Sequence, residues 1–128
     1  QAATNPYTPE SACGSSYRRV LPNPIELKTT IQQVGTVVFG RLYLLYSSTT
    51  GYNCIALIKA TGIGVPTHTK VWISNNVEDP NGTQADEGDF RYYASAKIYG
   101  RQRCVQFYGE QAGWGTQVAY LSPWGWCA

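Results

Sequence analysis

The chain contains no methionine, a single histidine, eight carboxylates and no CxxC pair among its 128 residues. Each absence excludes something. With no methionine and Gln1 at the start, the expectation is that an N-terminal segment has been removed, and export is the usual reason. With one histidine, a Ser–His–Asp triad would have to use His68, and no GxSxG elbow accompanies it, so His68 is read as a surface residue. Gly62-x-Gly64 leads into Val65-Pro66 rather than a helix start, which removes a phosphate-cradling loop. A net charge of +2 is too small for the strongly basic face that nucleic-acid binding uses. The richest apolar stretch, 37–46, is broken by Gly40 and Arg41 and falls short of the roughly 20 residues of a membrane span.

What is present points to β structure. Ten Tyr, four Trp, thirteen Gly and seven Pro stand among many Thr and Val. One exported domain, 1–128, is expected, with 1–12 as an extended N-terminal arm carrying Pro6 and Pro9. Short strands are expected at 17–21, 36–47, 53–61, 68–75, 104–108 and 116–121, while 25–32 reads equally as strand or helical turn. Segments 36–47 and 53–61, joined by Ser48-Thr49-Thr50-Gly51, read as a hairpin. The clearest strand is 89–99, with Phe90, Tyr92, Ala94, Ala96 and Ile98 on one face and Arg91, Tyr93, Ser95, Lys97 and Tyr99 on the other. The fold class expected is all-β: a small antiparallel sandwich or barrel of about seven or eight strands with two disulfides.

Cys13, Cys54, Cys104 and Cys127 form no zinc-type cluster and read as a disulfide framework. Four cysteines allow three pairings. Cys13–Cys54 with Cys104–Cys127 is preferred, because each bridge would pin a terminal segment onto an expected strand. Cys13–Cys127 with Cys54–Cys104 is the alternative.

Three blocks carry a family resemblance. Asn5-Pro-Tyr-Thr-Pro-Glu10 with Cys13-Gly14 and Tyr17 forms the first. Leu42-Tyr-Leu-Leu-Tyr-Ser47, with Gly51 and Asn53-Cys54, forms the second. Asp86, Gly88, Phe90 and Tyr92-Tyr93-Ala94 form the third, and Cys104-Val105 with Cys127 completes the pattern. The sequence thereby resembles the spore-associated protein A-like family of small secreted actinobacterial proteins. The resemblance implies export, a small disulfide-bonded fold and association with the cell or spore surface; it implies no reaction.

Candidate functional residues come from two clusters. Glu78, Asp79, Asp86, Glu87 and Asp89 fall close together in sequence, and Asp79-Pro-Asn-Gly is turn chemistry, so a solvated loop is the expected reading. The same cluster offers Asp79, Asn81, Asp86 and Asp89 as weak calcium ligands and Asp86 or Glu87 as a weak hydrolytic carboxylate. Asn81-Gly-Thr83 is a glycosylation sequon relevant only in a eukaryotic source. Trp114, Trp124 and Trp126 lie among glycines and a proline, and Tyr93 and Tyr99 lie on an outward strand face; together they are the candidate ligand-binding aromatics. No cofactor is expected. The functional expectation is a secreted, non-catalytic surface-associated binding domain for cell-wall polysaccharide or another secreted protein. The alternatives are an inhibitor or antimicrobial factor presenting loop 62–66 or 79–87, and a small cell-wall glycoside hydrolase.

Overall fold

The computed structural model describes residues 4–75 and 82–127. One short helix, α1 (Pro9–Cys13), precedes nine strands: β1 (Arg18–Arg19), β2 (Ile25–Ile31), β3 (Gly35–Ser47), β4 (Tyr52–Lys59), β5 (Thr67–Ser74), β6 (Thr83–Phe90), β7 (Tyr93–Tyr99), β8 (Gln106–Gly113) and β9 (Thr116–Leu121). They form two antiparallel sheets. In sheet A, β3 pairs with β4 and β4 with β7, while β1 and β2 both pair with the other side of β3. Sheet B has the order β6-β5-β8-β9. The antiparallel all-β architecture with two disulfides, expected from composition and strand spacing, is the one observed.

Alternation places the core. Leu27, Phe39, Leu42, Leu44, Ile55, Leu57, Val71, Ile73, Ala94, Ala96, Ile98, Val105 and Phe107 fill the space between the sheets. Two glycines let the sheets approach: a Cβ on Gly109 would run into the Leu42 side chain, and one on Gly40 into Leu57 and Gln111. β4 is buried on both faces, since Cys13, Tyr17, Leu45, Cys54, Ala56 and Ile58 make a second cluster on the outside of sheet A. Helix α1 and the arm before it cover that face.

The arm is therefore not simply extended. Thr8 caps α1, its hydroxyl taking the Ser11 N–H while Ser11 Oγ takes the Thr8 N–H, and Pro9 opens the helix without wasting a donor. Asn5 Nδ2 donates to Lys59 O at 2.9 Å and Tyr92 O at 2.8 Å. Glu10 receives both Arg19 Nε and Nη2, at 2.8 and 3.1 Å, which draws the helix onto β1 and lowers the Glu10 carboxyl from its ordinary value. Tyr7 packs against Tyr92 and Tyr93.

Two expectations about the third motif are corrected. The single strand expected at 89–99 is two strands, β6 in sheet B and β7 in sheet A, separated by a bend at Arg91-Tyr92. Phe90 on β6 and Ala94, Ala96 and Ile98 on β7 turn to the same core, but Tyr92, expected on that face, lies at the bend and packs with Tyr93 against Tyr7. The carboxylate segment expected as a solvated loop is, from Thr83 onward, strand β6. Glu78, Asp79 and Asn81, and with them the sequon's asparagine and the first calcium candidates, lie outside the described residues.

The end of the sandwich where β4 finishes is closed by one cation. Lys59 is 1% exposed. The three hydrogens of its ammonium are shared among Gly62 O, Val65 O, Thr67 Oγ1 and Phe90 O at 2.9, 2.8, 2.7 and 2.9 Å. Burial lowers its pKa from the ordinary lysine value. The 62–66 loop that it anchors is turned rather than extended, with Gly62 and Gly64 at φ of 61° and 83° and Val65 N–H bonded back to Gly62 O.

Candidate functional site

Strand register assembles aromatic and titratable side chains on the outward face of sheet B. On β5 the residues inward are Thr69, Val71 and Ile73, so His68, Lys70, Trp72 and Ser74 point outward. On β8, Gln106, Tyr108 and Glu110 do the same. On β6, Thr83, Ala85, Glu87 and Asp89 are outward and exposed. Pairing then sets Trp72 opposite Tyr108 and Lys70 opposite Glu110 on one side. On the other side it sets Trp72 opposite Ala85, Lys70 opposite Glu87 and His68 opposite Asp89.

Along the strands this face has an aromatic half and an ionic half. Trp72 and Tyr108 stack with centroids 5.7 Å apart and planes 12° from parallel. Beside Trp72 lies an open hollow of about 310 Å³, lined by Lys70, Trp72, Ser74, Thr83, Ala85 and Gln106. Tyr108 is not part of that lining. One side of Trp72 is thus covered by tyrosine, whereas on the other the alanine methyl of Ala85 is too short to cover it.

In the ionic half, Glu110 is the hub. Its Oε1 accepts the Tyr108 hydroxyl at 2.5 Å and its Oε2 accepts His68 Nε2 at 2.5 Å. Burial pushes the Glu110 carboxyl up, but the hydrogen bonds from Tyr108 and His68, with the charges of His68 and Lys70, outweigh it and leave the carboxyl below its ordinary value. An ionised Glu110 requires that His68 carry its hydrogen on Nε2. The same bond, together with burial, pushes the Tyr108 hydroxyl up to about 12. Glu87 stands farther out, at 3.8 Å from His68 and 3.9 Å from Lys70.

The residues singled out from sequence are dispersed. Trp114 caps the β8–β9 turn and packs on Phe39 with centroids 5.3 Å apart. Trp126 packs on Phe107 beyond the other end of β8, where Gly125 bridges Val105; Trp124 is exposed near it. Tyr93 and Tyr99 are on the outside of sheet A, Tyr93 against Tyr7 and Tyr99 against Tyr52 and the Arg103 guanidinium. These five side chains are not brought onto one surface.

The carboxylates are separated by the strand itself. Asp86 turns inward and its Oδ2 accepts the Ser95 N–H at 3.1 Å, tying the edge of sheet B to β7. Its neighbour Glu87 and the calcium candidate Asp89 point outward. Among the described residues, no three His, Cys, Asp or Glu side chains gather as a metal site. The four cysteines pair as preferred, Cys13 with Cys54 and Cys104 with Cys127.

Lys70, Trp72 and Tyr108 are not among the sequence candidates; His68 reads there as a surface residue, and Glu110 as a scattered carboxylate that could at most supply a distant partner to Asp86 or Glu87. The signal available was the complement of an alternation: with Val71 and Ile73 inward, His68, Lys70 and Trp72 had to be outward. Nothing local joins them to Tyr108 and Glu110, which lie far along the chain on another strand.

Comparison with known proteins agrees with the motif blocks. No family model matches the chain, and no solved structure matches it. Spore-associated protein A of Streptomyces coelicolor is 35% identical over 113 residues, which is 88% of this chain and 60% of that protein. The chain thus spans somewhat over half the length of the curated relative it matches. Much of the quoted blocks builds the scaffold: Asn5 and Glu10 moor the arm, Cys13 is bridged to Cys54, Asp86 ties the sheets and Ala94 fills the core. Over the 113 residues aligned, the chain is similar to spore-associated protein A, which supports the family resemblance of the motif blocks.

Proposed function

We propose that this chain is an exported, surface-associated binding domain that holds polysaccharide on the outward face of sheet B without cleaving it. The observation that carries the reading is Trp72, stacked on Tyr108 on one side and open over Ala85 on the other. A flat indole face gains from contact with the C–H surface of a sugar ring, and the hollow's polar lining, Lys70, Ser74, Thr83 and Gln106, supplies donors and acceptors for its hydroxyls. The name of the Streptomyces relative supports placement at a spore or cell surface, and two disulfides suit an oxidising compartment.

A non-catalytic reading is supported by how the ionic half is used. Both Glu110 oxygens are occupied, by Tyr108 and His68. Asp86 and Glu87 face opposite ways and do not flank a common space.

The test is retention of the purified protein on insoluble chitin, cellulose and peptidoglycan, with soluble sugar assayed in the same supernatants. Retention on at least one polymer without sugar release is expected, weakened about tenfold by Trp72→Ala, the equivalent of about 1.4 kcal/mol, and unchanged by Trp124→Ala. Release of sugar, or full retention of a folded Trp72→Ala protein, overturns the proposal.

A further inference from the structure

Sheet B's outward face is acidic on a protein whose net charge is +2. Of the eight carboxylates in the chain, Glu87, Asp89 and Glu110 all project from this face, where, among the described residues, the basic side chains beside them are Lys70 and His68. They are not equivalent. Glu110 is committed to Tyr108 and His68. Glu87 keeps only the long approaches to His68 and Lys70, at 3.8 and 3.9 Å, and its side chain is 52% exposed. Asp89, two positions along the same strand, is exposed, and its carboxylate has no hydrogen-bond or ion-pair partner among the described residues.

We infer that the polysaccharide held on this face is one bearing free, protonated amines: a deacetylated amino-sugar polymer. The inference rests on the reading of Trp72 as a sugar platform and adds the charge of the occupant. A ring on the open side of Trp72 lies over β6, on the strand and the face from which Glu87 and Asp89 project. The next sugar along β6 brings its substituents to those two carboxylates. An ammonium there gains two acceptors whose present partners are distant or absent. An acetamido or hydroxyl group at the same place gains no charge attraction, and a carboxylate is repelled. Glu110 acts as a positioning residue, holding Tyr108 against Trp72 and His68 upright between the strands.

The experiment compares retention on chitin beads with retention on the same beads after deacetylation, at a pH where the bead amines are protonated. The net positive charge of the protein opposes binding to a cationic polymer, so any preference for it reports a local acidic surface. At low salt, retention on the deacetylated beads is expected to be about fivefold stronger or more. Glu87→Gln and Asp89→Asn are each expected to weaken it by about threefold, the effect of an exposed ion pair, and to leave retention on chitin unchanged. Raising salt from about 0.01 to about 1 M, which shortens the screening length from about 30 to about 3 Å, is expected to remove the preference. Equal retention on both beads, or a preference that survives both substitutions, overturns this inference and leaves the sugar platform standing. No retention on any polymer overturns the platform and the inference together.

Discussion

Tyr108 donates its phenolic hydrogen to the carboxylate of Glu110, two residues further along the same strand, at 2.5 Å. The bond raises the tyrosine to about 12 and contributes to lowering the glutamate. For Tyr108 the folded value lies above the unfolded value of about 10, so its contribution to stability is complete below pH about 10 and lost as pH rises toward about 12. Glu110 has the opposite sign: its contribution is present above the ordinary carboxylate range and lost as pH falls through its lowered folded value. Ultraviolet titration is expected to show one phenol ionising near pH 12 that is missing from Tyr108→Phe. An unchanged titration in that variant would show that the bond is absent in solution.

Lys59 presents a contest between two effects. Replacing a buried charge by an apolar chain often costs nothing, because the desolvation penalty disappears with it. Here the partners are three main-chain carbonyls and Thr67 Oγ1, which stay behind without their donor. Leaving such acceptors unpaired costs about 1–3 kcal/mol each when they are fully buried, and Gly62 O keeps the Val65 N–H. Lys59→Met is therefore expected to destabilise by about 3 kcal/mol, measured by urea denaturation, with the 62–66 loop losing hydrogen-exchange protection first.

The two bridges are expected to differ. Their loops span 41 and 23 positions, for which chain entropy gives about 4 and about 3 kcal/mol. Cys13 and Cys54 are also 2% and 0% exposed, inside the cluster that seats α1. The double serine variant at 13 and 54 should lose more stability than that at 104 and 127, because it adds buried hydroxyls to the lost entropy. Thermal unfolding of the two variants decides the order.

Gly109 sits at a close approach of the two sheets, its missing Cβ facing Leu42. Gly109→Ala is expected to destabilise by about 1–3 kcal/mol through overpacking. Trimming Leu42 to Val in the same protein should recover part of the loss, which a double-mutant cycle would measure.

Much of the scaffold is legible along the chain because its determinants are local. Ala94, Ala96 and Ile98 alternate with Tyr93, Ser95 and Lys97, and the strand they imply is β7. Val71 and Ile73 point inward from β5. The break at Arg91-Tyr92 is hidden for a physical reason: passing from one sheet to the other changes the strand's partners but not the side on which the core lies. The carboxylates of β6 hide their strand in a similar way, since an edge strand with one solvated face needs few apolar residues, and Gln84, Asp86 and Gly88 read as loop.

The candidate site divides along the same line. Composition, the four cysteines and the motif blocks by themselves determine an all-β, twice-bridged chain similar to spore-associated protein A. A period of two determines which side of each strand meets water. Only the tertiary structure decides that β5 lies between β6 and β8. That order sets Trp72 between Tyr108 and Ala85 and gathers Glu87, Asp89 and Glu110 on one surface. Strand alternation is a property of neighbours in the chain, whereas register between strands is fixed by packing and hydrogen bonding across the whole sheet, and the surface that meets a ligand is made of register.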